Sequence, residues 1–570
     1  MKMLVADYIA EYLCTQGVRC VFELLGGMTA HLVDAMYRNG KIRILSTHHE
    51  QAAAFAADAY ARATGVPGVA MGIIGPGATN LLTGLGSCYF DSVPAVFIVG
   101  QVNRHEMKGD RPIRQSSFQE MDIVTMAGPI TKAAWQVKSP DQVPTIFADA
   151  FALAVSGRPG PVLIDLPMDI QHMQIEASMP GSGSRERLAA PGDGEILNVL
   201  NSLRQAQRPL ILVGGGVRAA GAQDLFRDFV AQIRIPVVNS LMAVDAIPYA
   251  DPLHVGMIGT YGNRWANVAI GNSDVLLVLG SRLDIRQTGA DTEFFSSGRT
   301  IYHVDCEQGE INNRVKDCHP IVTDIGAFLA AAMRLIDEFP TPAPWIAQIN
   351  EWRQAWPDTA EIKDIPGINP NVFLHQLSAR SNMAKAYAVD VGQHQMWAAQ
   401  SIELDAHQSF LTSGGMGAMG SALPMAIGAS MAYPEQPIMV VAGDGGFQLN
   451  IQELQTIVRN RLPIKIVVLD NGCYGMVRQF QQTYFGERYQ SSIWGYSAPD
   501  FPAVARAYGI DAMKVHEPAD VPAALEKLWA DPKSPFLLQV ILDTFANAYP
   551  KIAFGRPITE MEPLANPVDM

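Results

Sequence analysis

Val441–Asn450 reads VAGDGGFQLN and follows an apolar run; IKIVVLDN then ends at Asn471, with 24 residues between Gly445 and Asp470. An acidic residue at the end of one parallel strand, here Asp444, and an amide at the end of the next can share one octahedral cation. Gly443, Gly445 and Gly446 let backbone amides approach a diphosphate, and a following helix adds its positive end. GDGG alone is explained by a plain strand–turn–helix connection. The spacing to Asn471 argues for more than that.

Three further segments carry polar groups in suggestive places. Thr47–Gly65 (THHEQAAAFAADAYARATG) puts Glu50 in a first helical turn, where the helix dipole by itself favours a carboxylate. Thr412–Ala429 (TSGGMGAMGSALPMAIGA) contains Met419, a residue type that more often fills a core than touches a ligand. Asp390–Ala399 (DVGQHQMWAA) places Gln393 and His394 just after a predicted strand. A fourth segment, LILVGGGVRAAG, holds Gly214 and Gly215 in a turn that is weak evidence for a dinucleotide.

These groups need a scaffold, and the pattern predicts one. Continuous apolar runs at Val69–Ile74, Ala95–Val99, Val162–Leu166, Leu210–Val213, Val275–Leu279, Ile438–Ala442, Ile464–Leu469 and Phe536–Ile541 suit strands buried on both faces. Alternation with helices gives βαβ units, so the expected class is α/β with doubly wound parallel sheets. Ser178–Glu195 reads as a linker, and Phe339–Pro370 as a proline-rich connection around one short Trp-containing helix. The expected domains are 1–177, 196–338 and 366–550.

The 570 residues are 48% apolar and 17% charged, as in a well-buried globular chain of several domains. A net charge of −14 argues against nucleic acid and anionic membranes as partners. Six scattered cysteines without a CxxC pair suggest a reducing compartment and no zinc site. The amphipathic start, and the lack of a run near the roughly 18 apolar residues of a membrane span, lead to the expectation of a soluble cytoplasmic protein.

With GDG, about 25 residues and a terminal Asn, the sequence resembles the thiamine-diphosphate-dependent enzymes, specifically the acetolactate synthase group. The likeness covers roughly residues 3 to 545 and includes GPGATNLLTGLGSCYFDSVP at Gly75–Pro94. It implies pyrimidine-binding, central and diphosphate-binding domains in that order. It also implies that Asp444, Asn471 and the Cys473 carbonyl hold Mg²⁺. Gly26, Gln393, His394, Gly443, Gly445, Gly446 and Asn471 would then contact thiamine diphosphate, with the Gly417 carbonyl and the Met419 amide on the pyrimidine edge. Met419 would wedge the cofactor into its bent form, an orientation effect. Glu50 would hydrogen-bond pyrimidine N1′ and favour the 4′-imino base, and Gln119 would lie near the thiazolium. The central domain implies an FAD with no net redox role, on Gly214, Gly215, Arg282, Asp305 and Asp324. The active site would form between two chains, giving a homodimer or homotetramer.

The sequence departs from the group on the acceptor side, where Arg286, Met476, Val477 and Phe480 would meet substrate. Phe480 stands where the group has Trp, Met168 where it has Lys, and Ile285 where it has Asp; Asp470 replaces the first Asn of the metal motif. One such contact shifts specificity by about 1–3 kcal/mol. The C-terminal FGRPITEMEPLANP resembles yersiniose-type ketosugar carboligases. The expected activity is decarboxylation of pyruvate, a 2-keto acid, with transfer of its two-carbon unit to a carbonyl acceptor. The rivals are acetolactate synthesis with pyruvate or 2-oxobutyrate as acceptor, a flavin-dependent pyruvate oxidase, and a non-catalytic regulatory subunit.

Overall fold

The computed structural model describes residues 2–176, 178 and 188–568. It contains three six-stranded parallel sheets flanked by helices. In the first, the strands run in the order Arg43–Ser46, Cys20–Glu23, Gly68–Ile73, Ala95–Gln101, Pro161–Pro167, Ala133–Gln136. The second is ordered His254–Met257, Val237–Asn239, Pro209–Val213, Val275–Leu279, Thr300–Asp305, His319–Val322. The third is ordered Ser409–Leu411, Ala386–Val389, Ile438–Gly443, Ile464–Asp470, Phe536–Ile541, Asp511–Val515. All eight expected apolar runs are strands, each within two residues of its expected ends. They occupy sheet interiors, where strands covered by helices on both faces are mostly apolar; the buried exceptions Asp165, Lys465 and Gln539 are each hydrogen-bonded. The edge strands went unlisted in the sequence reading: Arg43–Ser46 and Asp511–Val515 are short and only partly buried, so no continuous apolar run marks them.

The chain forms two compact units. The first comprises residues 1–186, 413–438 and 449–464, and the second 187–412, 439–448 and 465–570. Residues 179–187 of the expected linker lie outside the described residues, and its last three residues already begin the helix Asp193–Gln205. The proline-rich connection holds the expected Trp helix, Ala343–Ala355. Its Trp345 ring meets Trp352 edge-to-face at 5.7 Å and donates Nε1–H to the Pro209 carbonyl at 3.2 Å.

Inside the first unit, helix Glu50–Thr64 packs along helix Ala422–Ala432. Small residues line the first helix on several sides: Ala52, Ala53, Ala54, Ala56 and Ala57 are wholly buried, with Ala54 against Gly84 and Ala57 against Gly68. Gly428 on the second lies so close that a Cβ there would stand 2.0 Å from the Ala56 carbonyl oxygen. A backbone oxygen cannot rotate aside, so Gly428→Ala is expected to destabilise the protein by about 3 kcal/mol or more, at the upper end of overpacking. Gly194→Ala meets nothing within 4 Å and should leave denaturant unfolding essentially unchanged.

Candidate active site

The third sheet brings the GDGG turn and Asn471 side by side, because strands Ile438–Gly443 and Ile464–Asp470 are neighbours. Asp444 opens a one-turn helix and is 2% exposed. Its Oδ2 accepts a hydrogen bond from the Tyr496 hydroxyl at 2.7 Å. Burial, and then the nearby Asp470 carboxylate, push its pKa up to about 7. Two carboxylates drawn together in a buried site are relieved by a cation. Asp470 is already engaged: its oxygens accept from the Gly472 amide at 3.0 Å and Gln539 Nε2 at 2.6 Å. That accounts for an aspartate where the motif usually has asparagine.

Asn471 is oriented for the same place. Its Nδ2 donates to Gln393 Oε1 at 2.9 Å, which leaves the amide oxygen for a cation. Gln393 donates in turn to Gln479 Oε1 at 3.0 Å, and Gln479 is anchored through Nε2 to the Ala548 carbonyl at 3.1 Å. Cys473 is buried, with its thiol 3.6 Å from the Thr544 carbonyl.

The glycines are required by packing. A Cβ on Gly446 would lie 2.9 Å from the Asp390 carboxylate, on Gly445 2.6 Å from the Tyr474 ring, and on Gly443 2.6 Å from His394 Nδ1. His394 is 5% exposed, and its Nε2 has no hydrogen-bond partner among the described residues. Burial lowers its pKa to about 3, so the imidazole is neutral and keeps a ring nitrogen free for a ligand. A diphosphate and a divalent cation fit this set of groups: backbone approaches, one unpartnered buried imidazole, a carboxylate and an amide oxygen.

The His394 shift has a consequence for stability. Between pH 6.5 and about 3 the unfolded chain takes up a proton that folded His394 refuses, so stability falls as pH is lowered through that window. Comparing urea unfolding of wild type and His394→Gln across pH 4–6.5 should show wild type losing about 1.4 kcal/mol more per pH unit.

In the first unit, Glu50 begins helix Glu50–Thr64 and is 7% exposed. The preceding His49 caps the helix, its Nδ1 accepting from the Gln51 amide at 3.0 Å. Glu50 Oε2 accepts from Asn80 Nδ2 at 2.9 Å, and a Cβ on Gly77 would approach Oε1 to 3.1 Å. Gln119 adopts a positive φ of 66° and lies against Gly75, itself at φ 83°. Gly26 backs onto Ile73, where a Cβ would meet Cγ2 at 2.5 Å. In the segment 413–438, Gly417 is exposed at φ 63° and Met419 is half-buried.

The second sheet reverses its winding between strands Pro209–Val213 and Val275–Leu279, and Gly214 and Gly215 follow the first of these. A Cβ on Gly214 would lie 2.1 Å from the Gly280 carbonyl oxygen, so the two strand ends close tightly at the place where open α/β sheets bind ligands. Asp305 ends strand Thr300–Asp305, and Asp324 caps helix Ile325–Leu335 through the Ala327 amide at 3.1 Å. Arg282 pairs with Asp284 at 3.2 Å. Of the residues expected to meet substrate, Met476 is half-buried and Val477 and Phe480 are exposed on helix Gly475–Tyr484, while Arg286 is exposed on helix Ile285–Thr288. Arg478 turns inward, bonding Gln482 Oε1 at 2.8 Å, Asn547 Oδ1 at 2.6 Å and the Ala546 carbonyl at 2.9 Å.

The sequence pattern does not single out several residues at these sites, among them Asn80, Asp390, Tyr474 and Tyr496. Asn80 and Asp390 stand inside quoted motifs, which is a signal that could have found them. Tyr474 and Tyr496 stand in none.

Comparison with known proteins follows the same division. Residues 3–126 match the N-terminal TPP binding domain of thiamine pyrophosphate enzymes, 196–332 their central domain and 390–540 their C-terminal TPP binding domain. The chain is 37% identical to the acetolactate synthase isozyme 2 large subunit of Escherichia coli (strain K12), covering 98% of each. It is 36% identical to the acetolactate synthase large subunit of Parasynechococcus marenigrum (strain WH8102), over 98% of this chain and 90% of that one. A probable acetolactate synthase large subunit of Methanocaldococcus jannaschii is also 36% identical, over 98% and 94%.

Proposed function

This chain belongs to the thiamine pyrophosphate enzymes, within the acetolactate synthase group, and on that premise we propose that it decarboxylates pyruvate and transfers the two-carbon unit to a carbonyl acceptor. The observation that carries the reading is the set Asp444, Asn471, Gln393 and His394 converging on one strand-end crevice, with the His394 nitrogen unpartnered. Bound thiamine diphosphate supplies a carbanion equivalent at C2 and an electron sink for decarboxylation. Asp444, the Asn471 amide oxygen and the Cys473 carbonyl would hold Mg²⁺, and His394 and the amides of the GDGG turn would bind the diphosphate. Glu50, with one oxygen held by Asn80, takes up and returns the proton at pyrimidine N1′. Met419 and Gly417 would seat the pyrimidine, Gly26 would contact the cofactor, and Gln119 would lie near the thiazolium.

The central domain would take FAD without net redox change, held by Gly214, Gly215, Arg282, Asp305 and Asp324. A homodimer or homotetramer completes the site. Among the described residues no helix is long and apolar enough to cross a membrane, and six free cysteines suit the cytoplasm. Phe480, Val477 and Met476 shape an acceptor pocket suited to a ketone or ketosugar. A second reading, acetolactate synthesis proper, is favoured by exposed Arg286, a cation available to an acceptor carboxylate.

The test is incubation with thiamine diphosphate, Mg²⁺, FAD and ¹³C-pyruvate, with and without a simple ketone, followed by NMR. A tertiary alcohol built from the ketone supports the altered pocket. Labelled acetolactate unaffected by the ketone supports the second reading, and absence of both products overturns the carboligase assignment. Oxygen uptake with pyruvate would instead mark an oxidase.

A further inference from the structure

The turn that delivers Glu50 is held by a distant part of the chain. Residues 448–453 form a short helical turn after the GDGG segment, kinked at Asn450 with φ −131°. Asn450 Nδ2 donates to Gln51 Oε1 at 3.1 Å and to the Gly420 carbonyl at 2.8 Å. Glu453 Oε1 accepts from the His48 amide at 2.9 Å, and its Oε2 accepts from Thr456 Oγ1 at 2.6 Å. Both residues are buried, Glu453 at 0% exposure and Asn450 at 1%. Residues 48 and 51 are thus tethered on either side of Glu50, and Gly420, the residue after Met419, is tied into the same network. From the other side, the Glu23 carbonyl accepts the Thr47 amide at 2.8 Å.

Burying a carboxylate is costly unless its lone pairs are filled. Here they are filled by a backbone amide just ahead of the helix and by a hydroxyl one turn along Glu453's own segment. An apolar residue would fill the space and leave the His48 amide orphaned. We propose that Glu453, assisted by Asn450, is a positioning residue for Glu50: it fixes the His48–Gln51 turn so that the Glu50 carboxylate meets the cofactor pyrimidine in one orientation. The inference rests on the reading of Glu50 given above.

Hydrogen–deuterium exchange at C2 of bound thiamine diphosphate, together with cofactor affinity, tests it in Glu453→Leu, Glu453→Gln, Thr456→Val, Glu50→Gln and the double variant Glu50→Gln/Glu453→Leu. Glu453→Leu, which leaves the His48 amide without its acceptor, is expected to slow exchange about tenfold to a hundredfold, with affinity kept within about threefold, since misorientation costs rate more than binding. Glu453→Gln keeps an oxygen for the His48 amide and should stay within about threefold of wild type. Thr456→Val, which removes one partner of Glu453, should slow it in the same direction as Glu453→Leu by a smaller factor. The double variant should exchange no more slowly than Glu50→Gln, because Glu453 acts only through Glu50. Wild-type exchange in Glu453→Leu overturns the proposal, as does a Glu453→Gln variant as slow as Glu453→Leu, or a double variant that loses the product of the two single effects. If Glu453→Leu does not fold, wild-type exchange in Thr456→Val overturns it instead. Wild-type exchange in Glu50→Gln overturns the functional reading, and the positioning role with it.

Discussion

Replacing Glu50 with Gln is expected to cut turnover of pyruvate by about 10²–10⁴-fold while leaving thiamine diphosphate bound, the range for loss of one positioned acid–base group. The substitution keeps the shape of the side chain and its ability to accept from Asn80. It removes the ability to share a proton with pyrimidine N1′. Binding should survive because the diphosphate end is held elsewhere, by the groups around Asp444 and Asn471. Steady-state turnover and cofactor titration on the same preparation separate the two effects. Turnover close to wild type would remove Glu50 from the mechanism, and loss of cofactor binding would recast it as an anchoring residue.

Replacing Asp444 with Asn should produce the opposite pattern. The variant keeps an oxygen at the same place but removes the negative charge from a site where Asp470 is already committed to Gln539 and the Gly472 amide. Removing the charge of a proposed direct ligand is expected to weaken Mg²⁺ by more than about a hundredfold, beyond the 10–100-fold typical of outer partners. Titrating thiamine diphosphate by fluorescence quenching at several Mg²⁺ concentrations reads this without turnover. Cofactor affinity should rise steeply with Mg²⁺ in wild type and hardly at all in Asp444→Asn. Equal Mg²⁺ dependence in the two proteins would place the cation elsewhere.

Much of this protein was legible along the chain. Most sheet interiors were legible because a strand covered by helices on both faces is mostly apolar, as at Val275–Leu279 and Ile438–Gly443, whereas the interior strands Cys20–Glu23, Val237–Asn239, Thr300–Asp305 and Ala386–Val389 were not among the expected runs. The GDGG turn and Asn471 were legible because backbone approach demands glycine, and because the span of one βαβ unit sets the distance between two neighbouring strand ends. The tertiary structure decided which partners those residues meet. Tyr496 reaches Asp444 across 52 residues, Gln539 engages Asp470 across 69, and Glu453 holds the His48 amide across 405. No local period or composition marks such residues, since each is defined only by the crossing of segments that sheet order and helix packing bring together. Gly428 belongs to the same class: it reads as one more glycine in an apolar helix until helix Glu50–Thr64 is laid against it, with the Ala56 carbonyl where its Cβ would stand.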